Sequence, residues 1–242
     1  MIVADLTMAE FEAGLARTRT AILPAGSVEE HGLHLPLSTD TYQVWEVARR
    51  AAELAPAFLC PPVHYGYCRS TRDHPGTLSI SPETVRRLVF DLGTSLYRQG
   101  IRGLLVASGH AGGLHMAALE EAGEHLVDAC AGLEVAVVCE YHWAQEIGRG
   151  GIVETADDGH AGEIETSRIL ALGPGRVRGM SPEEYPRFPR PFIARHKRSH
   201  WPGGVWGDPA KASAAKGEQL LARCALRMAE LVRALEARVQ AG

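Results

Sequence analysis

The chain has 242 residues, 45% hydrophobic and 22% charged, with a formal net charge of −4. That is enough for one large domain with a sizeable core and short for two, so we expect residues 1–242 to form a single domain. No basic stripe points to nucleic acid, and the densest basic stretch, Arg195 to Arg198, sits among prolines and aromatics and reads as a solvated loop.

No stretch approaches the roughly 18–20 apolar residues of a membrane span. The opening segment MIVADLTMAEFEAGLA carries Asp and Glu and reads as neither a secretory signal nor an anchor. Five cysteines occur, at 60, 68, 130, 139 and 224, an odd number without zinc-finger spacing. Reduced, buried thiols in a cytoplasmic protein are therefore expected, with no membrane partner.

In chain order, Ala21–Ala25 reads as a first strand, followed by a helix over Tyr42–Leu54. Phe58–Val63 reads as a second strand, ending in prolines. A helix over Pro82–Gln99 has Ser81 as its N-cap, Pro82 at its first position and Gly100 after its last turn. Its apolar residues Val85, Leu88, Val89, Leu92 and Leu96 keep helical spacing. Gly103–Ser108 is a third strand, Leu114–Ala131 a helix, and Val135–Tyr141 a fourth strand. A further helix starts near Gly162 and stops before Gly173, and Ala212–Val239 is helical in composition. Residues 173–211, rich in Pro, Gly, Arg and aromatics, read as a long excursion packed near the site. Continuous apolar strands alternating with helices predict a three-layer α/β/α fold with a mostly parallel central sheet. In such folds the working residues gather in loops at the carboxyl ends of strands.

Three loops carry chemistry-bearing residues. After the first strand, PAGSVEEHGLHLPLSTD holds Glu29, Glu30, His31, His34 and Asp40. Imidazole plus carboxylate suits Zn²⁺, Mn²⁺ or Fe²⁺. Glu29 and His31 are two apart, so in an extended loop they point the same way. The same composition also fits a polar loop with fortuitous histidines, and residue types alone leave that choice open. After the third strand, SGHAGGLHM puts His110 at the strand's carboxyl end beside Gly109, Gly112 and Gly113. A tight βα connection or a nucleotide turn is the competing reading, though neither GxGxxG nor GxxxxGK[ST] is present. His115 falls one helical turn on and reads as a helix-face residue. The third cluster, DDGHAGEIETS over 157–167, brings His160, Glu163 and Glu165 to the start of a helix, where acids also simply complement the dipole.

Taken together, PAGSVEEHGLHLPLSTD, HPGTLSIS at 74–81, SGHAGGL at 108–114 and HAGEIETS at 160–167 resemble the creatininase (creatinine amidohydrolase) family. The four motifs occur in the family's order and cover most of residues 20–175. Beyond them the match is looser, through GVWGDPAKASAAKGE at 204–218.

The resemblance implies an α/β/α layered fold, two divalent metal ions per chain and a homo-oligomer, often a hexamer in the family. It implies hydrolysis of a C–N amide bond, cyclic or linear, in a small-molecule substrate by a metal-activated water. Glu29, His31, Asp40 and His110 match the family's metal ligands, with Asp40 bridging. Creatininase has a Glu two residues after the His matched by His110, where this chain has Gly112. It has an apolar residue where this chain has Glu163. Glu163 is therefore expected to supply the missing ligand beside His31, with Glu165 its rival or a group that orients it. His160 matches the family's proton carrier. Glu30 and His34 are expected to orient the ligands, and His74 and Trp143 to line the substrate pocket. Ala156 stands where creatininase closes a Trp over creatinine, so the resemblance implies the reaction type better than creatinine itself. The family also includes formamide deformylases and a peptidase that trims a peptide-derived cofactor precursor. A non-catalytic metal-binding protein is the alternative of another class.

Overall fold

A computed structural model describes residues 1–241. Its sheet has four parallel strands in the order β2-β1-β3-β4, where β1 is Thr20–Ala25, β2 Phe58–Leu59, β3 Gly103–Ser108 and β4 Glu134–Cys139. Seven α-helices occur among the described residues: α1 Met8–Gly14, α2 Thr39–Leu54, α3 Pro82–Arg98, α4 Gly113–Ala129, α5 Glu140–Arg149, α6 Glu163–Leu172 and α7 Ala214–Ala241. The expected layered α/β fold is the observed one. α3 and α4 pack together on one face, while α2 and α7 cover the other and carry α6.

Every residue of β1 and β3 is buried, which is why both read as unbroken apolar runs. Successive residues face opposite layers: Gly103 lies against Leu235 and Val239 of α7, and Leu104 reaches toward Gly93 of α3. β4, an edge strand, is only half buried until Cys139. No helix among the described residues is long and apolar enough to cross a membrane.

Three expectations shift at their boundaries. β2 pairs over only two residues, because Pro61 and Pro62 have no N–H to give the ladder. The chain rejoins β1 at Val63, whose N–H donates to Pro24 O at 2.9 Å. The fourth strand stops at Cys139, and the following Glu140–Arg149 coils into α5, burying Tyr141, Ala144 and Gly148 on one side. α2 begins at Thr39, so Asp40 lies in its first turn.

The strand order positions the site. From β1 the chain moves outward to β2, then crosses back to place β3 on the other side of β1. The crevice outside the carboxyl ends of β1 and β3 is the topological switch point, where open α/β sheets gather their ligands.

Candidate metal and active site

The loop after β1 delivers Glu29 and His31 into that crevice, α2 delivers Asp40, and the turn after β3 delivers His110. A Cβ on Gly109 would overlap the Asp40 carbonyl oxygen, so only glycine lets the end of β3 touch the start of α2. That contact sets His110 against Asp40. The opposite wall is the first turn of α6, with Glu165, and the loop before it, with His160.

Asp40 occupies the centre. Its Oδ1 is 3.1 Å from His31 Nε2, and its Oδ2 is 3.1 Å from His110 Nδ1. Glu29 Oε2 is 2.9 Å from the same His110 nitrogen, and Glu165 Oε2 is 3.5 Å from His31 Nε2. All five residues are buried. Neighbours fix the carboxylates. Ser27 Oγ donates to Asp40 Oδ2 at 2.6 Å, and Thr71 Oγ1 donates to Glu29 Oε1. Glu165 accepts from Gln43 Nε2 at 3.1 Å and from the Ala161 N–H at 2.6 Å.

Each imidazole has one nitrogen tied to the backbone and one facing the carboxylates. His31 Nδ1 lies 3.1 Å from Glu29 O, His110 Nε2 lies 3.1 Å from Tyr67 O, and His160 Nε2 lies 2.8 Å from Glu30 O. A carbonyl can only accept, so the tied nitrogen carries a proton, and the nitrogen facing the carboxylates is the one that would give its lone pair to an ion once its own proton is lost. That is how metal-binding histidines are oriented.

Burial alone would lower His31, but Glu165 and Asp40 outweigh it and hold the imidazole well above its ordinary value. His110 is raised against burial by Glu29 and Asp40. Burial and His31 oppose a charge on His160, yet Glu30 and Glu29 still raise it. Burial likewise pushes the acids up, and the imidazoles win: His110 helps hold Glu29 at about 2, and His31 holds Asp40 well below the carboxylate range. The carboxylates thus favour positive charge beside them, on an imidazole or on a bound ion. Divalent ions fit its donor set, with side-chain groupings of His31, Asp40 and Glu165, of Glu29, Cys68 and His110, and of Glu29, His31 and His160 each close enough to share an ion.

A cavity of about 140 Å³ opens on this cluster, walled by Phe188, Trp201 and Trp206 from the 173–211 excursion. A larger cleft of about 560 Å³ lies between β2 and α3, but it is almost wholly apolar and none of these groups lines it.

Several expected residues stand elsewhere. The Glu163 carboxylate turns away from the site: it accepts from the N–H groups of Glu154 and Thr155, from Thr155 Oγ1 and from Lys216 Nζ at 2.6 Å. The reason is helical pitch. Residues two apart on a helix differ by about 200°, so Glu163 and Glu165 cannot both face one crevice. Glu165 is the one that does. Trp143 packs under Arg227 and does not line the cavity. His74 is also displaced from the wall: its Nε2 lies 2.8 Å from Trp201 O and its Nδ1 3.2 Å from Thr71 O, so it braces a wall residue and a carboxylate's partner. His34 bridges Ser181 Oγ and Thr166 Oγ1 at 2.9 and 2.8 Å, joining the β1 loop to α6 without touching a carboxylate of the site. Glu30 does stand beside His160, which meets its carbonyl at 2.8 Å and its Oε1 at 3.6 Å, while its Oε2 accepts from the Gly32 N–H at 2.9 Å.

A buried cage of carboxylates and imidazoles at the switch point of a parallel sheet has the donor set of a candidate metal centre. The Creatininase family profile, described as creatinine amidohydrolase, matches residues 4–232. A mycofactocin precursor peptide peptidase of Mycobacterium tuberculosis is 32% identical over 216 residues, covering 83% of this chain and 79% of its own. A creatinine amidohydrolase of Pseudomonas putida is 28% identical and covers 96% of both chains. A mutant creatininase of Zn–Zn type superposes with a TM-score of 0.83 at 26% identity, over 97% of this chain and 98% of its own. The chain belongs to the creatininase family, and its relatives are named as hydrolases.

Proposed function

We propose that this protein is a two-metal amidohydrolase that opens a C–N amide bond, cyclic or linear, in a small substrate. Asp40 would bridge the ions, with Glu29 and His110 on one and His31 and Glu165 on the other. Zinc, manganese and iron all suit these donors. The observation that carries the reading is Asp40 itself: its two oxygens face two different histidines, each at 3.1 Å. When bound, such ions polarise a substrate carbonyl and bring the pKa of water toward neutrality.

The protein's own groups do the rest. His160 has Nε2 held by the Glu30 carbonyl, which leaves Nδ1 facing the crevice, 4.0 Å from Glu165 Oε2. From there it carries a proton to the departing nitrogen. Its ring lies edge-on to Trp201, with centroids 5.2 Å apart, so the indole fixes its orientation. Phe188, Trp201 and Trp206 shield the reacting amide from bulk water. Ser27, Thr71 and Gln43 keep the carboxylates aimed.

A cavity of about 140 Å³ is small beside the roughly 300–1,000 Å³ of ordinary ligand sites, which favours a compact reacting group. Ala156, in place of a closing Trp, argues against creatinine. A second reading, cleavage of a peptide bond, draws support from the 32% identity to a precursor peptide peptidase. Formamide deformylation uses the same core. The chain would act as one domain in a homo-oligomer. Its five unpaired, buried cysteines support a reducing, cytoplasmic setting.

The test is a hydrolysis screen on chelator-stripped and metal-reloaded protein with creatinine, other cyclic amides, formamidopyrimidines and short peptides. Turnover that appears only on reloading supports the reading. Turnover that survives stripping, or none with any amide after reloading, refutes it.

A further inference from the structure

Five cysteines are buried, and four of them belong to the hydrophobic core: Cys60, Cys130, Cys139 and Cys224. Cys68 stands apart, 1% exposed and outside that core cluster. It lies in the loop after β2, with its backbone N–H donating to Ser79 Oγ at 2.9 Å.

That loop forms a wall of the metal cage. One residue before Cys68, the Tyr67 carbonyl accepts from His110 Nε2. Three residues after it, Thr71 Oγ1 donates to Glu29 Oε1. Cys68 falls between these two contacts. Its Sγ, a Glu29 oxygen and a His110 ring nitrogen all lie within 4.8 Å of one another. A shared ion would draw these three groups together, since two donors bound at about 2.0–2.3 Å each stand no more than about 4.6 Å apart.

We propose that Cys68 is a sulfur ligand of the ion held by Glu29, Asp40 and His110, a proposal that rests on the two-metal reading above. On binding, the S–H bond breaks, the proton leaves to solvent and the sulfur electron pair goes to the ion. A thiolate is a soft donor, so this half of the site favours zinc, cobalt(II) or iron(II) over manganese or magnesium. The other half, His31 with Asp40 and Glu165, has only nitrogen and oxygen donors and discriminates less. The two ion positions therefore differ in metal preference, and the difference lies in one side chain.

The experiment loads the chelator-stripped full chain with cobalt(II). The expected result is two ions per chain, with a sulfur-to-cobalt charge-transfer band in the near ultraviolet. Cys68→Ser abolishes the band, keeps both ions and weakens zinc at one position by about 10-fold or more, while manganese binding changes little. X-ray absorption on the zinc-loaded wild type needs no variant: a sulfur shell at about 2.3 Å supports the ligand. Two bound cobalt ions with no such band, or a zinc spectrum with only nitrogen and oxygen neighbours, overturns the Cys68 ligand and leaves the two-metal reading standing. Failure to bind cobalt at all overturns both.

Discussion

Replacing Glu165 with Gln tests which α6 acid belongs to the site. Glu165 Oε1 accepts from Gln43 Nε2 at 3.1 Å, and Oε2 accepts from the Ala161 N–H at 2.6 Å. An amide fills the same volume. If its oxygen stays on Gln43, its NH₂ is driven against the Ala161 N–H and toward His31. Losing that charge-assisted bond and leaving a buried donor unpaired costs about 1.5–3 kcal/mol. That cost falls on stability; the ion beside His31 loses a charged ligand outright, a larger effect than the roughly 10- to 100-fold that removal of an outer partner costs. One of the two ions should therefore weaken by about 100-fold or more in Glu165→Gln. The control is Glu163→Gln. Its carboxylate serves Thr155, Glu154 and Lys216, away from the cage, so both ions should bind nearly as in wild type. Stability should fall instead, by about 1.5–3 kcal/mol, because four donors lose a buried anion. The assay is calorimetric zinc titration of stripped protein against a competing chelator, paired with thermal melts. The reasoning fails if Glu163→Gln loses an ion while Glu165→Gln keeps two.

Further predictions follow from other groups. The Arg168 guanidinium donates to both Glu140 oxygens, at 2.9 and 2.8 Å, and both side chains are fully buried. Arg168→Met should cost about 3–5 kcal/mol in denaturant melts by stranding Glu140, and Glu140→Leu added to it should recover much of that loss. Burial, then the His31 charge, hold His34 at about 4. A histidine with a lowered folded value contributes stability above its unfolded value of about 6.5. That contribution is lost as pH falls from about 6.5 toward 4, so a His34→Gln protein should show a flatter acid limb over that window. His160→Ala should lower kcat by about 10²–10⁴-fold with metal content unchanged. Loss of an ion from His160→Ala would make this residue a ligand and not a proton carrier.

The fold was readable where one periodicity ruled a whole segment. β3 matches its apolar run end to end, and α3 begins at the Ser81 cap, whose hydroxyl accepts from the Thr84 N–H. The misses have local causes. Thr7 and Glu10 form a capping box that announces α1, a signal carried by TMAE alone because the helix is too short to show a periodicity. The aromatic residues after Cys139 look like strand, yet they begin α5.

For the site, loop position and residue type brought Glu29, His31, Asp40 and His110 to attention, and motif order tied them together. The choice between Glu163 and Glu165 depended on the phase of α6, which a two-residue spacing at a helix start does not reveal. Thr71 and Gln43 were out of reach for another reason, and Trp201 and Trp206 were legible only as part of the aromatic 173–211 excursion expected near the site. Their roles arise from chain crossings more than thirty residues long, and a Thr or Trp alone carries no spacing to read. Gly112 has a reason as well: a side chain there would strike His110 Nε2.

The central claim is that Asp40 holds two ions at once. Elemental analysis of purified wild type and Asp40→Ala, reloaded under identical conditions, tests it most directly. Two divalent ions per wild-type chain are expected, and loss of both, together with amide hydrolysis, in Asp40→Ala protein that still folds. An Asp40→Ala chain that binds two ions as tightly as wild type would contradict it.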